Sequence, residues 1–170
     1  MTGQAVVIRP IQREEGAALR DIRLRAIRDA PDAFAVSLAE ALAQTDEGWT
    51  AWATGLATGE ASVMYVAEDA GTWIGMAGGM RGASGPGEIA HLISMWVDPA
   101  HRGRGLGRRL VERVADWARD RGARRLELWV TAHNAAAIGL YARCGFGDIS
   151  ASQPLPSDAA VMERKMARDL

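Results

Sequence analysis

Residues 95–109 read MWVDPAHRGRGLGRR. The stretch leaves an apolar, β-compatible run, turns at Asp98-Pro99-Ala100-His101, and crosses Arg102-Gly103-Arg104-Gly105-Leu106-Gly107 into a segment with helical periodicity. Glycines at a strand-to-helix turn let backbone N–H groups approach a ligand closely, because no Cβ stands in the way. The first N–H groups of a helix have no internal acceptor, and the helix dipole puts positive potential behind them. Together they make an anion site suited to phosphate. Four arginines and no acid fall within residues 101–109, which adds attraction and direct guanidinium donors. The competing interpretation is a glycine-rich turn beneath a solvated arginine face. Other phosphate loops are excluded by order: a dinucleotide fingerprint needs G-x-G-x-x-G, and a Walker loop needs Gly-Lys-Ser/Thr.

Outward from this loop the chain alternates strand and helix signals. Glu88–Val97 is a strand ended by Asp98-Pro99, and Leu106, Leu110, Val114, Trp117 and Ala118 form the apolar stripe of a helix that stops at Gly122. Arg124–Thr131 reads as a strand with Leu126, Leu128 and Val130 on one face, and Asn134–Arg143 as a short helix ending at Gly145. Phe146–Ser150 and Ala160–Met166 read as closing strands around the loop SQPLPSD. Upstream, Ala5–Arg9 is a first strand, and Leu19, Ile22, Ala26 and Ile27 share a helix face that ends before Pro31. A second helical stretch runs from Ser37 to Leu56 with a break near Gly48, and its Trp49 and Trp52 read as core, the alternative being a substrate wall. Ser62–Glu68 and Thr72–Met80 flank the turn Asp69-Ala70-Gly71, and Arg81–Gly87 reads as a flexible loop. The order βααβββαβαββ predicts one α/β domain over residues 1–170, with a mixed central sheet of six to seven strands flanked by about four helices.

Composition sets further bounds. The 170 residues are 48% apolar and 24% charged, an ordinary globular balance. A net charge of −1 provides no global pull toward nucleic acid. Cys144 is the single cysteine and no Cys/His spacing suits zinc, so neither an intrachain disulfide nor a metal is expected. The start MTGQAVVIRPIQREE lacks a signal-peptide pattern, and no apolar run approaches the roughly 20 residues a membrane span needs. The expectation is a soluble cytoplasmic protein. His91 lies on a strand and titrates near neutrality. It is the first candidate base, against a partly buried histidine with a structural or substrate-positioning role. Glu88, near the start of the strand, is the second. Tyr141 can donate a proton, or serve as an amphipathic core tyrosine. Cys144 has no partner base in the sequence pattern and reads as inert packing. His101 and His133 read as loop residues, with His101 a candidate phosphate contact.

The longer run MWVDPAHRGRGLGRRLVERVADWARDRGARRLELWVTAHNAAAIGLYARCGF resembles the signature region of the GNAT N-acetyltransferase superfamily, over about residues 88–147. The R-x-x-G-x-G loop and the arrangement Asn134…Tyr141…Gly145-Phe146 carry the resemblance independently. It implies that the loop Arg102, Gly103, Arg104, Gly105, Leu106, Gly107 and Arg108 binds acetyl-CoA. Amides around Gly103, Gly105, Gly107 and Arg108 would lie on the pyrophosphate. It implies that the strand end Met95-Trp96-Val97 pairs with the pantetheine arm where this strand splays from the next. Asn134 would bond the arm, and Tyr141 would stand near the departing sulfur. His91 sits 11 positions before Arg102, a spacing at which several members place a catalytic Glu or His. The expected activity is acetyl transfer to an amine by direct attack, the acceptor being a small molecule or a protein or peptide amine. The alternative is a non-catalytic acyl-CoA-binding module. A homodimer is a further expectation.

Overall fold

The computed structural model describes residues 5–82 and 88–170. Seven strands form one sheet: β1 (Val7–Pro10), β2 (Ser62–Asp69), β3 (Thr72–Arg81), β4 (Ile89–Val97), β5 (Arg125–Thr131), β6 (Gly147–Leu155) and β7 (Asp158–Asp169). Their order is β1-β2-β3-β4-β5-β7-β6. Among the described residues only β4 and β5 run parallel, and a helix joins them, supplying the crossover that a parallel pair needs.

The helices are α1 (Gly16–Asp29), α2 (Leu38–Ala43), α3 (Asp46–Ala57), α4 (Leu106–Asp120) and α5 (Ala135–Arg143). On one face of the sheet, Leu110, Val114 and Trp117 of α4 pack with Leu126, Leu128, Tyr141 and Phe146. On the other, Leu19, Ile22 and Ile27 of α1 and Trp49 and Leu56 of α3 pack with Met64, Met76 and Trp96. Gly79 of β3 permits this closeness on the α4 side, where a Cβ would lie 2.8 Å from the Trp117 ring.

The structure differs from the sequence expectation in four places. The stretch Ser37–Leu56 is two helices, making five rather than four, and the break falls at Gln44-Thr45 rather than near Gly48. Capping decides this. Ser37 and Glu40 form a reciprocal capping box at α2, and Thr45 Oγ1 accepts the Gly48 N–H at 3.1 Å to start α3. Trp49 is core, but Trp52 is only half-buried. The expected loop SQPLPSD is mostly strand, since Leu155 pairs with Asp158 across a two-residue turn. β6 is an edge strand, where a proline such as Pro154 forfeits no ladder bond. Of the loop Arg81–Gly87, Arg81 ends β3 and the Gly82 N–H donates to Ile89 O at 2.9 Å; residues 83–87 lie outside the described residues.

Candidate functional site

β4 and β5 pair only at Ile89–Arg125, Ala90–Leu126 and His91–Glu127, although β4 continues to Val97 and β5 to Thr131. Beyond His91 the two strands part, leaving Leu92–Val97 and Leu128–Thr131 unpaired across the gap. The cause lies partly in β4. Gly78 pairs with Ile93 and Met76 with Trp96, so Ala77 alone opposes both Ser94 and Met95. Ser94 takes a left-handed φ of 53°. This is a β-bulge, which bends its strand and shifts the side-chain alternation by one residue. Ala90 and Leu92 therefore face the α4 side, while beyond the bulge Trp96 faces the α1 side and Val97 the α4 side.

The glycine loop closes the far end of this gap. Asp98 Oδ1 accepts the Ala100 N–H at 2.9 Å and starts the 3-10 turn Pro99–His101. Gly103 and Gly105 follow with φ of 75° and 76°, and Gly105 is the N-cap of α4. A Cβ at either glycine would meet no protein atom, so the open side is available to a ligand. The first intrahelical bond of α4 runs from Arg109 N to Gly105 O at 3.2 Å, which leaves the N–H groups of Leu106, Gly107 and Arg108 without helical acceptors. No acid occupies the first turn. Gly107 serves packing instead: its Cβ would fall 3.1 Å from Leu140 and 3.2 Å from Met95. Arg102 is not a free phosphate donor. Its Nε donates to Val97 O at 2.9 Å and its guanidinium bonds Asp29 Oδ2. Burial would raise the Asp29 pKa, but bonds from Trp96 Nε1 and Arg102 outweigh it and hold the carboxyl below its usual range. Arg102 therefore braces the loop against α1.

Across the gap, Asn134 caps α5, its Oδ1 accepting the Ala137 N–H at 3.1 Å. That leaves the Nδ2 group to serve a ligand. A cleft of about 440 Å³ runs between Asp29–Ala33 and Thr131–Ala136, with Asn134 on its wall. A larger concavity lies against α3 alone, at Asp46–Thr54, and brings no candidate residues together. Tyr141 packs edge-on against Phe146 with ring centroids 5.9 Å apart. Burial, with a smaller contribution from Cys144, pushes its phenol well above the ordinary value. Tyr141 is thus a neutral hydrogen-bond donor and a weaker acid than an alkyl thiol, whose pKa is about 8.5. It suits stabilising a thiolate by hydrogen bonding better than protonating it outright. Cys144 is buried and burial raises its pKa, in keeping with an inert thiol.

His91 occupies the last paired position of β4, beside Glu127. Burial lowers its pKa, with Glu127 opposing and Lys165 reinforcing that shift. Its Nε2 lies toward the β3–β4 connection, 3.6 Å from where a Gly82 Cβ would be. Glu88 does not join the site. It precedes β4, is exposed, and lies 3.8 Å from Arg124. Sequence reasoning missed three neighbours. Glu127 is a buried carboxylate held by Lys165 at 2.5 Å and Arg125 at 3.2 Å. Ser94 shapes the bulge, and Arg23 of α1 donates to Ser94 Oγ at 2.8 Å. A charged residue on the apolar face of α1 was the available signal for Arg23.

Residues 24–146 match the Acetyltransferase (GNAT) family. Over 50 residues the chain is 56% identical to streptothricin acetyltransferase of Streptomyces lavendulae, covering 29% of this chain and 26% of that protein. The chain spans about a quarter of the length of the first curated relatives it matches. Solved structures agree over nearly the whole chain. A GNAT-family acetyltransferase from Streptococcus pneumoniae superposes with a TM-score of 0.82 at 22% identity, covering 98% of this chain and 99% of that one. A putative acetyltransferase from Salmonella typhimurium, solved with its cofactor acetyl-CoA, gives 0.80 at 25% identity, with 98% and 95% covered.

Proposed function

We propose, from the premise that this chain belongs to the GNAT family of acetyltransferases, that it transfers the acetyl group of acetyl-CoA to an amine. The observation that carries this reading is the parting of β4 from β5 beyond His91, with the open N-terminus of α4 at its far end. Acetyl-CoA supplies an activated acyl group, and direct attack by the amine needs no nucleophile from the protein. The chain's part is positioning, worth several kcal/mol of the barrier, and electrostatics. The amides of Gly103, Gly105, Leu106, Gly107 and Arg108 bind pyrophosphate oxygens. Arg104 and Arg108, which form no ion pair among the described residues, add charge. The free edge at Met95, Trp96 and Val97 pairs with the amides of the pantetheine arm, and Asn134 Nδ2 donates to it. Tyr141 donates to the sulfur as the C–S bond breaks. His91, kept neutral by its lowered pKa, accepts the amine proton, directly or through water.

The finer elements belong to the same proposal: one catalytic domain over residues 1–170, a cytoplasmic setting, no resident metal, no nucleic-acid or membrane partner, and a homodimer. Among the described residues no helix is long and apolar enough to cross a membrane. The test is a thiol-release assay with acetyl-CoA against small amines and N-terminal peptides. Amine-dependent release supports the reading. Acetyl-CoA binding without release for any amine favours the non-catalytic module.

A further inference from the structure

Arg23 stands apart from the other arginines. It lies in the middle of α1, yet it is only 7% exposed. Nη1 donates to Ser94 Oγ, Nε is enclosed without any partner, and no carboxylate pairs with the group among the described residues. Two positions on, Arg25 reaches both Asp21 and Asp98. Around Arg23 stand rings instead: its guanidinium carbon is 4.8 Å from the Phe34 centroid and 5.2 Å from that of Trp52. Burial draws its pKa down to about 10, so the group stays charged at neutral pH.

A desolvated charge without a counter-ion is costly, and apolar residues of similar volume are often as stable or more so. Bracing one serine hydroxyl uses a single N–H, and the faces of Phe34 and Trp52 offset part of the cost, but Nε keeps no partner. Its position explains it better. Ser94 is the bulged residue of β4, three positions beyond the last β4–β5 pair, so the guanidinium stands beside the gap where the strands part. On the same side, Phe34 O accepts from Ser157 Oγ of the β6–β7 turn at 2.7 Å, which ties the turn over this compartment.

We propose that Arg23 supplies the missing half of an ion pair whose other half is the acceptor: the amine substrate also carries a carboxylate, as an amino acid does. This deepens the acetyltransferase reading and rests on it. The free donors of one guanidinium match a single negative charge, and their planar fork matches a carboxylate. A phosphate would need more donors.

The test compares kcat/KM for amino acids, their C-terminal amides and aminoalkyl phosphonates, in the wild type, Arg23→Met and Arg23→Lys. Acetyl-CoA affinity and Tm are followed in each. The wild type is expected to prefer acid over amide by at least about tenfold, mainly through KM. Arg23→Met should bring that ratio close to one without lowering Tm or acetyl-CoA affinity, and Arg23→Lys should restore part of it. Equal use of acid and amide by the wild type, preference for the phosphonate, or an Arg23→Met protein that keeps the ratio while losing stability would each overturn the proposal. If calorimetry shows no acetyl-CoA binding, the acetyltransferase reading fails first. Binding and turnover of amines without any carboxylated acceptor would sink this inference alone.

Discussion

At the scale of single residues, environment decides which chemistry each side chain can perform. Tyr141 carries a hydroxyl on a ring otherwise committed to packing against Phe146. Tyr141→Phe removes only that hydroxyl, so kcat should fall about 10- to 1,000-fold while acetyl-CoA affinity and Tm hold. A lower Tm with normal turnover would mark a core tyrosine instead. For His91 the sign of the shift matters. Burial lowers its pKa from the ordinary value, so the neutral, proton-accepting form prevails down to lower pH. The limb of kcat/KM that rises with pH should therefore have its midpoint below about 6.5, and His91→Ala should abolish it. A limb near 8 or above in both proteins would assign the titration to the substrate amine. The same shift makes His91 favour folding above pH 6.5. As pH falls below that value the unfolded chain takes up its proton first, and this contribution is lost. The glycines, Tyr141 and His91 stood out in the sequence as candidates by residue type, and Asn134 only through the family resemblance. Ser94 and Glu127 did not, and Arg23 was signalled only by a charge on the apolar face of α1. Their importance comes from partners 71 positions away, as in the Arg23–Ser94 bond, or from neighbouring strands, and no local pattern encodes such pairs.

At the scale of elements, the gap exists because β4 changes its pairing part-way along. Hydrophobic periodicity located this strand to within a residue, but not the bulge at Ser94, since the sequence LISMWV reads as an uninterrupted apolar run. The bulge became visible only through the register with β3. The helix boundary at Thr45 was legible in principle, because a capping threonine followed by Asp46 and Glu47 is a stronger start signal than Gly48 is a stop. The β6–β7 hairpin was hidden by its proline- and serine-rich composition, which an edge strand tolerates. The seating of α4 on β3 gives a direct prediction. A Cβ on Gly79 would meet the Trp117 ring and Val114 Cγ1 at 2.8 and 3.0 Å. Both belong to a closely packed helix, so Gly79→Ala should cost about 1–3 kcal/mol, read as a shift in the denaturation midpoint at unchanged m-value. No loss of stability would mean that α4 sits further from the sheet than the structure places it.

At the scale of the whole molecule, the two helical layers grip the sheet on either side of a gap that neither layer fills. α4 and α5 cover one face, and α1 and α3 cover the other over β2–β4. A cleft lies between Asp29–Ala33 and Thr131–Ala136, at the end of β5. The succession of strands and helices could be read from periodicity along the chain, apart from the division of 37–56 into two helices. The depth of the gap could not, since it depends on how far β4 and β5 stay paired. The central claim is that acetyl-CoA lies in that gap, with its arm on the edge of β4 and its phosphates on the N-terminus of α4. Amide hydrogen exchange with and without saturating acetyl-CoA tests this most directly. Acetyl-CoA is expected to slow exchange in two separated segments, 92–97 and 103–108, with β1 and β2 unchanged. Unaltered exchange in both segments at a concentration where calorimetry shows binding, or protection confined to another part of the chain, would contradict it.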